Sequence, residues 1–331
     1  MKRFVSAFTI LAALALVMPA HAEKIKIRLA HGASHTHPFN KLAEMWKEAV
    51  EKRTDKVDIQ IFGDRQLGGD KQVLEGAIAG TIDAAFPSSI LFPLVLKDQK
   101  VFDALQLPFV VNSYENLATM LTSKPAMQML VGLKRDGLVG LSFGEAGLRH
   151  FLNRKGPVQY LRDFKGLKTR IVPVPLHKAV WKAVGANPVG IAYGEVYTSM
   201  QTHVIDAVEF NISSIETENL WEVAKYLTLT GHYFWPGVLV YNKAKFEKLP
   251  KDVQQAMIEA GREIIKPQVM FVKKHEEEAA KRLEAKGVKI YPFKDLKKMQ
   301  ALMKPIVKQW EKKDPLIAEY VAEAKKLEKG N

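Results

Sequence analysis

The chain has 331 residues, of which 47% are hydrophobic and 26% are charged, and its formal net charge is +13. This balance is typical of a folded globular protein of about two domains and excludes a disordered chain. Because the sequence contains no cysteine, disulfides, thiolate zinc sites, Cys-ligated iron–sulfur clusters and cysteine nucleophiles are also excluded.

Residues 1–22 have the pattern of a cleaved secretory signal peptide. Lys2 and Arg3 form a basic start, an apolar run covers 4–18, and the segment 20–22 supplies the small residues of a cleavage site. The apolar run is shorter than the ~20 residues that span a bilayer. We therefore expect export of the chain and removal of this segment.

Strands and helices alternate after the signal peptide. Alternating hydrophobicity predicts strands at 25–29, 57–61 and 82–86, and helical spacing predicts helices that begin at Pro38 and cover 73–78. Strands that alternate with helices of this length favour a mostly parallel sheet with helices on both faces.

The same pattern restarts in the second half of the chain. It predicts further strands and helices at 138–143, 167–172, 175–184, 195–202 and 204–210. A long helical pattern follows over 250–284, in which Pro267 should cause a kink. Two α/β halves without a flexible linker predict two lobes joined by crossing strands, with a ligand cleft between them.

Two patterns of known chemistry are disfavoured by their context. The segment 140–144 matches the G-x-S-x-G nucleophile elbow, but Ser142 falls inside a predicted strand and a poor helix start follows, so a hydrolase is not expected. The basic excess lies mainly in 243–331, where charges of both signs alternate as on a solvated helix face. No zinc-finger spacing or aromatic RNA-binding signature accompanies it, so no nucleic-acid partner is expected.

Three histidines, His31, His35 and His37, follow the first predicted strand. Such a cluster could hold Zn²⁺ or Cu²⁺, and a periplasmic metal-binding protein is the alternative function that it indicates. A loop that begins a helix also uses polar side chains for capping. One of these imidazoles facing a cleft is the favoured interpretation.

Arg170 lies within a predicted strand, where an unpaired guanidinium is costly to bury. Strand arginines also occur on exposed faces, and that alternative stays open at this point. An arginine that points into a cleft can hold a carboxylate through two parallel hydrogen bonds. Arg149 is the second arginine of interest.

Over about residues 25–300 the chain resembles the DctP-type solute-binding subunits of tripartite ATP-independent periplasmic (TRAP) transporters. The resemblance rests on the order and spacing of several modest motifs, which occupy 66–70, 80–83, 163–170, 185–188, 194–202 and 204–206. It implies a periplasmic-binding-protein-like α/β fold, in which two lobes close on an organic acid and a long helix spans both.

The resemblance also implies which residues bind the ligand. Arg170, in the Lys-Gly-Leu-Lys-x-Arg segment, matches the arginine that pairs with the ligand carboxylate, and Arg149 matches a second arginine that often helps. Tyr193 matches a position where an aromatic ring lines the pocket. Ser88 matches a position where a polar side chain reaches the ligand, and His35 is the histidine selected from the loop after the first strand.

The sequence departs from the family pattern near 206–211. Phe210 stands where the family often has a side-chain amide, and Asn211 follows one step later. Ala207 replaces the usual glycine after Asp206. Either Asn211 supplies the amide contact or Phe210 packs on an apolar part of the ligand.

By resemblance, lobe I comprises 23–146 and about 237–276, and lobe II comprises 147–236 and about 277–331. The implied protein is not an enzyme, needs no cofactor and is a monomer in the periplasm of a Gram-negative bacterium. Its partners would be the small and large membrane subunits of a TRAP transporter, or a sensor instead. The expected ligand is a dicarboxylate or a uronic or aromatic acid.

Overall fold

The structure is a computed structural model that describes residues 23–330. The predicted signal peptide, 1–22, lies outside the described residues. Strands occupy β1 Ile25–Ala30, β2 Val57–Phe62, β3 Ala84–Ala85, β4 Leu138–Asn153, β5 Lys168–Ile171, β6 Asn187–Gly190, β7 Ala207–Asn211, β8 Tyr226–Leu229, β9 Phe234–Asn242 and β10 Lys289–Pro292.

The helices that cover this sheet vary from one turn to more than five. They are α1 Pro38–Glu51, α2 Asp70–Ala79, α3 Phe92–Val95, α4 Tyr114–Met120, α5 Lys124–Gly132, α6 Pro175–Ala183, α7 Val196–Gln201, α8 Ile212–Thr217, α9 Lys243–Phe246, α10 Lys251–Glu263, α11 Ile265–Ala285, α12 Leu296–Glu311 and α13 Pro315–Gly330. Within residues 23–330, no helix combines the length and apolar character needed to cross a bilayer.

The sheet confirms the predicted α/β fold with two lobes and crossing strands. Its order is β2-β1-β3-β9-β4-β7-β5-β6, and β8 pairs with both β4 and β10. The first half of β4 pairs with β9, beginning at Leu138↔Asn242. Its second half pairs with β7 and β8, as at Arg149↔Asn211. β4 therefore joins a first lobe around β1–β3 to a second lobe around β5–β7.

The predicted long helix differs from the structure at one point. The helical pattern over 250–284 is divided into α10, which ends at Glu263, and α11, which begins at Ile265. Pro267 has no N–H to donate, and its ring clashes with the carbonyl four residues earlier, which belongs to Glu263. The break therefore lies at the residue that the proline affects rather than at the proline itself.

α11 spans both lobes, as expected. Near its start, the Gln268 Nε2 donates to the Glu145 carbonyl at 2.8 Å, on the crossing strand. Two turns later, Glu276 accepts the backbone N–H of Ile212 at 3.1 Å and of Ser213 at 2.6 Å, where α8 begins. The helix is therefore bonded to the strand that joins the lobes and to the second lobe.

The last helix, α13, does not pack on the lobe to which the expected boundary assigns it. The boundary assigns about 277–331 to lobe II, but α13 packs on α4, α5 and the 3₁₀ segment Lys100–Gln106 of the first lobe. The Asn112 Nδ2 also donates to Glu328 Oε1 at 2.9 Å. A boundary that keeps 315–330 with the first lobe fits these contacts, and the division of the rest of the chain stays a prediction.

Two carboxyl groups are buried where α11 crosses β4. One Glu145 oxygen accepts the N–H of Gly147 at 2.7 Å and of Trp235 at 2.9 Å, and the other oxygen has no partner among the described residues. Burial raises the pKa of Glu145 to about 8 and that of Glu276 to about 7. Gly147 has φ 136°, and a Cβ there would collide with the Glu276 carboxyl, so glycine permits this approach.

We expect the stability contributed by the protonated Glu145 carboxyl to fall as pH rises. Its folded pKa, about 8, lies above the ordinary value of 4.5, so this contribution is complete below about pH 4.5 and is lost as pH approaches 8. The side chain of the Glu145→Gln variant stays neutral at every pH. The unfolding temperature of the variant should therefore rise relative to that of wild type as the pH increases from 5 to 8. Thermal unfolding across this range tests it, with Glu278→Gln on the exposed side of α11 as the control. A pH-independent difference would contradict the prediction.

Candidate functional site

A cavity of about 350 Å³ lies between the two lobes. The first lobe contributes Arg65, Asp70 and Ser88 to its lining, and the second lobe contributes Arg170 and Tyr193. Such a volume is near the lower end of the ~300–1,000 Å³ that is usual for small-molecule sites. Three of the residues expected at a ligand site are therefore brought together here.

Arg170 is held by β5 with its guanidinium at the cavity. The side chain is 2% exposed, and its Nε donates to the Ile191 carbonyl at 2.9 Å. The buried Nη1 has no hydrogen-bond partner among residues 23–330. Burial lowers the pKa of Arg170 to about 10, partly offset by the charge of Glu209, so the group stays cationic at neutral pH. The structure thus excludes the exposed-face alternative for Arg170.

Arg149, by contrast, does not line the cavity. Its Nε donates to Glu209 Oε2 at 2.7 Å, and its Nη2 donates to the Glu209 backbone carbonyl. The guanidinium also lies over the Trp235 ring, 3.7 Å from the centroid. Since these groups occupy the Arg149 guanidinium, it supports the site from behind instead of facing a ligand.

Glu209 is the functional residue that the sequence analysis missed. It accepts the Tyr233 hydroxyl at 2.9 Å, and His232 Nε2 lies 3.6 Å from its Oε2. Burial acts to raise the pKa of Glu209, but the Arg149 guanidinium outweighs it and holds this pKa well below the usual range. Glu209 forms its ion pair with Arg149, whereas it acts on Arg170 only through its charge. The position of Glu209, directly before Phe210 in a motif already noted, was the available signal.

Tyr193 and Ser88 lie on opposite sides of the cavity. The Tyr193 ring is 5.3 Å from the Phe210 ring and 5.1 Å from the Arg65 guanidinium carbon. The Ser88 hydroxyl is buried and has no hydrogen-bond partner within the described part of the chain. Both residues line the cavity.

Phe210 and Asn211 do not reach the cavity. The Phe210 ring is fully buried, 4.8 Å from the Arg149 guanidinium carbon and 5.2 Å from that of Arg170. The Asn211 Nδ2 donates to the Ala146 carbonyl at 2.7 Å, and its Oδ1 accepts the Ser214 hydroxyl at 2.8 Å. Phe210 packs near two guanidinium groups and Asn211 is used in hydrogen bonds to β4 and α8, so this geometry does not favour either as a ligand contact.

The histidine that faces the cavity is His37, not His35. His35 lies outside the cavity lining, with a side chain that is 73% exposed and paired with Asp64 at 3.2 Å. The buried His37 Nδ1 accepts the Phe39 N–H at 3.2 Å, so its Nε2 can donate to the Ser214 hydroxyl at 3.0 Å across the lobes. His37 is therefore the imidazole at the cavity because it caps the start of α1. Burial holds the pKa of His37 well below its ordinary value, so the ring is neutral.

The three imidazoles do not converge on a common point. His31 Nε2 pairs with Asn40 Oδ1 at 3.1 Å, while His35 and His37 bond to other partners. Within residues 23–330, no group of three or more His, Asp or Glu is placed to hold a metal ion. The geometry does not favour the metal-binding alternative.

Ser142, the serine of the G-x-S-x-G match, is fully buried in β4. Its hydroxyl donates to the Gly261 carbonyl at 2.6 Å. It connects β4 to α10 inside the core and lies away from the cavity.

We expect His37→Ala to weaken ligand binding about two- to twelvefold, since it removes one hydrogen bond between the lobes, worth about 0.5–1.5 kcal/mol. The matched variant His35→Ala should change the Kd by less than about twofold, because an exposed side-chain contact contributes little. Titration calorimetry of both variants measures this difference. A larger loss in His35→Ala than in His37→Ala would contradict the placement.

Comparison with known proteins agrees with this fold. Residues 29–314 match the family model of the bacterial extracellular solute-binding proteins, family 7, DctP. The C4-dicarboxylate-binding periplasmic protein DctP of Rhodobacter capsulatus is 33% identical over 75% of this chain and 74% of its own. The 2,3-diketo-L-gulonate-binding periplasmic protein YiaO of Escherichia coli is 30% identical over 82% of each chain.

A solved structure shows the same architecture. The sugar acid binding protein DctPAm from Advenella mimigardefordensis strain DPN7T, in complex with galactonate, superposes with a TM-score of 0.86 at 27% identity, covering 92% of this chain and 99% of that one. Together with the family match over most of the sequence, this similarity leads to one assignment: the chain belongs to family 7 of the bacterial extracellular solute-binding proteins, the DctP family.

Proposed function

We propose that this protein is a periplasmic solute-binding protein that captures an organic acid and delivers it to the membrane subunits of a TRAP transporter. The observation that carries the proposal is Arg170, a buried cation at the interlobe cavity whose Nη1 has no partner among the described residues. A buried charge that no carboxylate contacts directly is unfavourable, even though Asp70 and Glu209 lie within electrostatic reach of it. A ligand carboxylate supplies the counter-ion, and the planar guanidinium can hold both of its oxygens.

Contacts across the cavity explain how a ligand favours the closed state. His37 bonds to Ser214, and Arg65 Nη2 pairs with Glu218 Oε2 at 2.7 Å, each joining the first lobe to the second. An acid held between the lobes touches both walls only when they are together. Its binding free energy therefore shifts the population towards the closed form.

The relatives support the ligand class and the setting. They include a C4-dicarboxylate-binding protein, a diketogulonate-binding protein and a sugar acid binding protein, all of which take organic acids. Two of them are periplasmic by name. The signal-peptide pattern of residues 1–22 fits the same compartment. The closed form would be the one that docks on the membrane subunits.

Thermal unfolding with a panel of organic acids tests the proposal. An acid at about 100 times its Kd should add roughly 2.7 kcal/mol of stability, enough to raise the unfolding midpoint by several degrees. Zn²⁺, with and without a chelator, is the control for the metal-binding alternative. A shift with Zn²⁺ alone, reversed by the chelator, would overturn the proposal.

A further inference from the structure

The charged groups around the cavity leave one place for an anion. Arg170 has an unpaired buried nitrogen, whereas Arg65 is paired with Glu218 at 2.7 Å and Arg149 with Glu209 at 2.7 Å. Lys71, at the rim, is 57% exposed and lies 3.6 Å from Glu75. A ligand with two carboxylates would find a buried, free partner for only one of them.

The Asp70 carboxylate makes a second anion unfavourable. Asp70 lines the cavity, and its Oδ2 accepts the Ser88 N–H at 3.2 Å. A ligand carboxylate beside Asp70 would lie near a like charge, and repulsion between close charges is strong where solvent screens them weakly. A ligand hydroxyl is suited to the same place, because a carboxylate oxygen can accept more than one hydrogen bond.

Polar side chains line part of the cavity, among them Gln72, Tyr193 and Glu195, but one wall is apolar. It is formed by side chains from both lobes: Ile90, Leu91, Leu94, Val172, Pro173 and Ile191. Leu94 is 42% exposed, an unusual degree for a large apolar side chain beside a cavity. A row of ligand hydroxyls against this wall would lose its hydrogen bonds to water without replacement. An alkyl or aromatic group would instead bury apolar surface, including that of Leu94.

Taking the proposed function as given, we infer that the site selects a monocarboxylic acid that carries a hydroxyl group and a branched-alkyl or aromatic group. The carboxylate pairs with Arg170, the hydroxyl donates to Asp70, and the apolar group lies on the wall that includes Ile90 and Leu94. Dicarboxylates are disfavoured by charge, and sugar acids are disfavoured where their hydroxyls would meet the apolar wall.

Titration calorimetry of the mature protein, freed of endogenous ligand by unfolding and refolding, tests this selection. The probes are 2-hydroxy-3-methylbutanoate, mandelate, malate and galactonate. The first two should bind at least about tenfold more tightly than malate and galactonate. Tighter or equal binding of malate or galactonate would overturn the inference and leave the proposed function intact. Binding of no acid on the panel would overturn both.

A matched pair of variants locates the apolar contact. Leu94→Asn should weaken mandelate binding about tenfold and leave malate binding unchanged, since only the apolar ligand covers this side chain. Leu302→Asn, at a leucine on α12 with 41% exposure that does not line the cavity, should alter neither. Both leucines are partly exposed, so the fold is retained. Unchanged mandelate binding in Leu94→Asn would contradict the inference.

Discussion

Replacement of Arg170 by alanine is expected to abolish tight binding of the organic acid. The side chain is 2% exposed at the cavity, and within residues 23–330 no carboxylate forms an ion pair with it. Each charge-assisted hydrogen bond to a ligand carboxylate contributes about 1.5–3 kcal/mol. Loss of a two-bond contact therefore corresponds to a Kd at least about 100-fold weaker.

Arg170→Lys should rescue little of this loss. An ammonium group is a compact charge and lacks the planar pair of donors that matches a carboxylate. The Arg170 Nε also bonds to the Ile191 carbonyl at 2.9 Å, which fixes the plane of the guanidinium, and lysine has no equivalent of that bond. Titration calorimetry with the best acid of the panel measures both variants.

The matched control is Arg162→Ala, which removes an arginine of the second lobe that is 78% exposed. Its Kd should equal that of wild type. Because no carboxylate of residues 23–330 forms an ion pair with Arg170 before ligand binds, we expect the ligand-free Arg170→Ala protein to unfold near the wild-type temperature. Wild-type affinity in Arg170→Ala would remove the carboxylate pairing from the proposed function.

The general fold could be predicted from the sequence, because hydrophobic periodicity fixes which residues form strands and helices. The strands at β1, β2 and β5 and the start of α1 lie where the pattern placed them. The length of β4 could not be predicted in this way. Its run through Gly140, Gly144 and Gly147 is a poor strand by propensity, and pairing with β9, β7 and β8 makes it continuous.

The sequence predicted those residues of the site whose position is set by a local motif. Arg170 and Tyr193 were found through motifs, and the structure places both at the cavity. Arg149 is unavailable to a ligand because it bonds to Glu209 on a neighbouring strand. Glu209 is 60 residues away in the chain, so this pairing could not be read from a local motif. His35 and His37 differ by two positions, and helix capping by His37 decides which of them is buried. Which of these side chains is paired or buried depends on tertiary contacts that a local sequence pattern does not contain.

Glu209→Ala is expected to be the most destabilising single substitution near the site. It leaves the Arg149 guanidinium, 1% exposed, without a carboxylate, and removal of one partner of a buried ion pair costs about 3–5 kcal/mol. The Tyr233 hydroxyl, 2.9 Å from Glu209, also loses its acceptor. Urea unfolding at pH 7 measures the loss. We expect a urea midpoint well below that of wild type. We also expect weaker acid binding, because the side chains that pack behind Arg170 lose their support.

The control is Glu216→Ala, which breaks an ion pair of the same N–O distance at the surface. Arg282 Nε lies 2.7 Å from Glu216, as Arg149 Nε does from Glu209, but the Arg282 side chain is 44% exposed. An exposed pair contributes at most about 1 kcal/mol, so burial alone should separate the two variants.

The stability contributed by the Glu209 carboxylate depends on pH. Arg149 holds the pKa of Glu209 below its ordinary value of 4.5. This stabilisation is therefore present above about pH 4.5 and is lost as pH falls. The deficit of Glu209→Ala should therefore shrink in acid, and equal losses in the two variants would show that the buried pair does not stabilise the site.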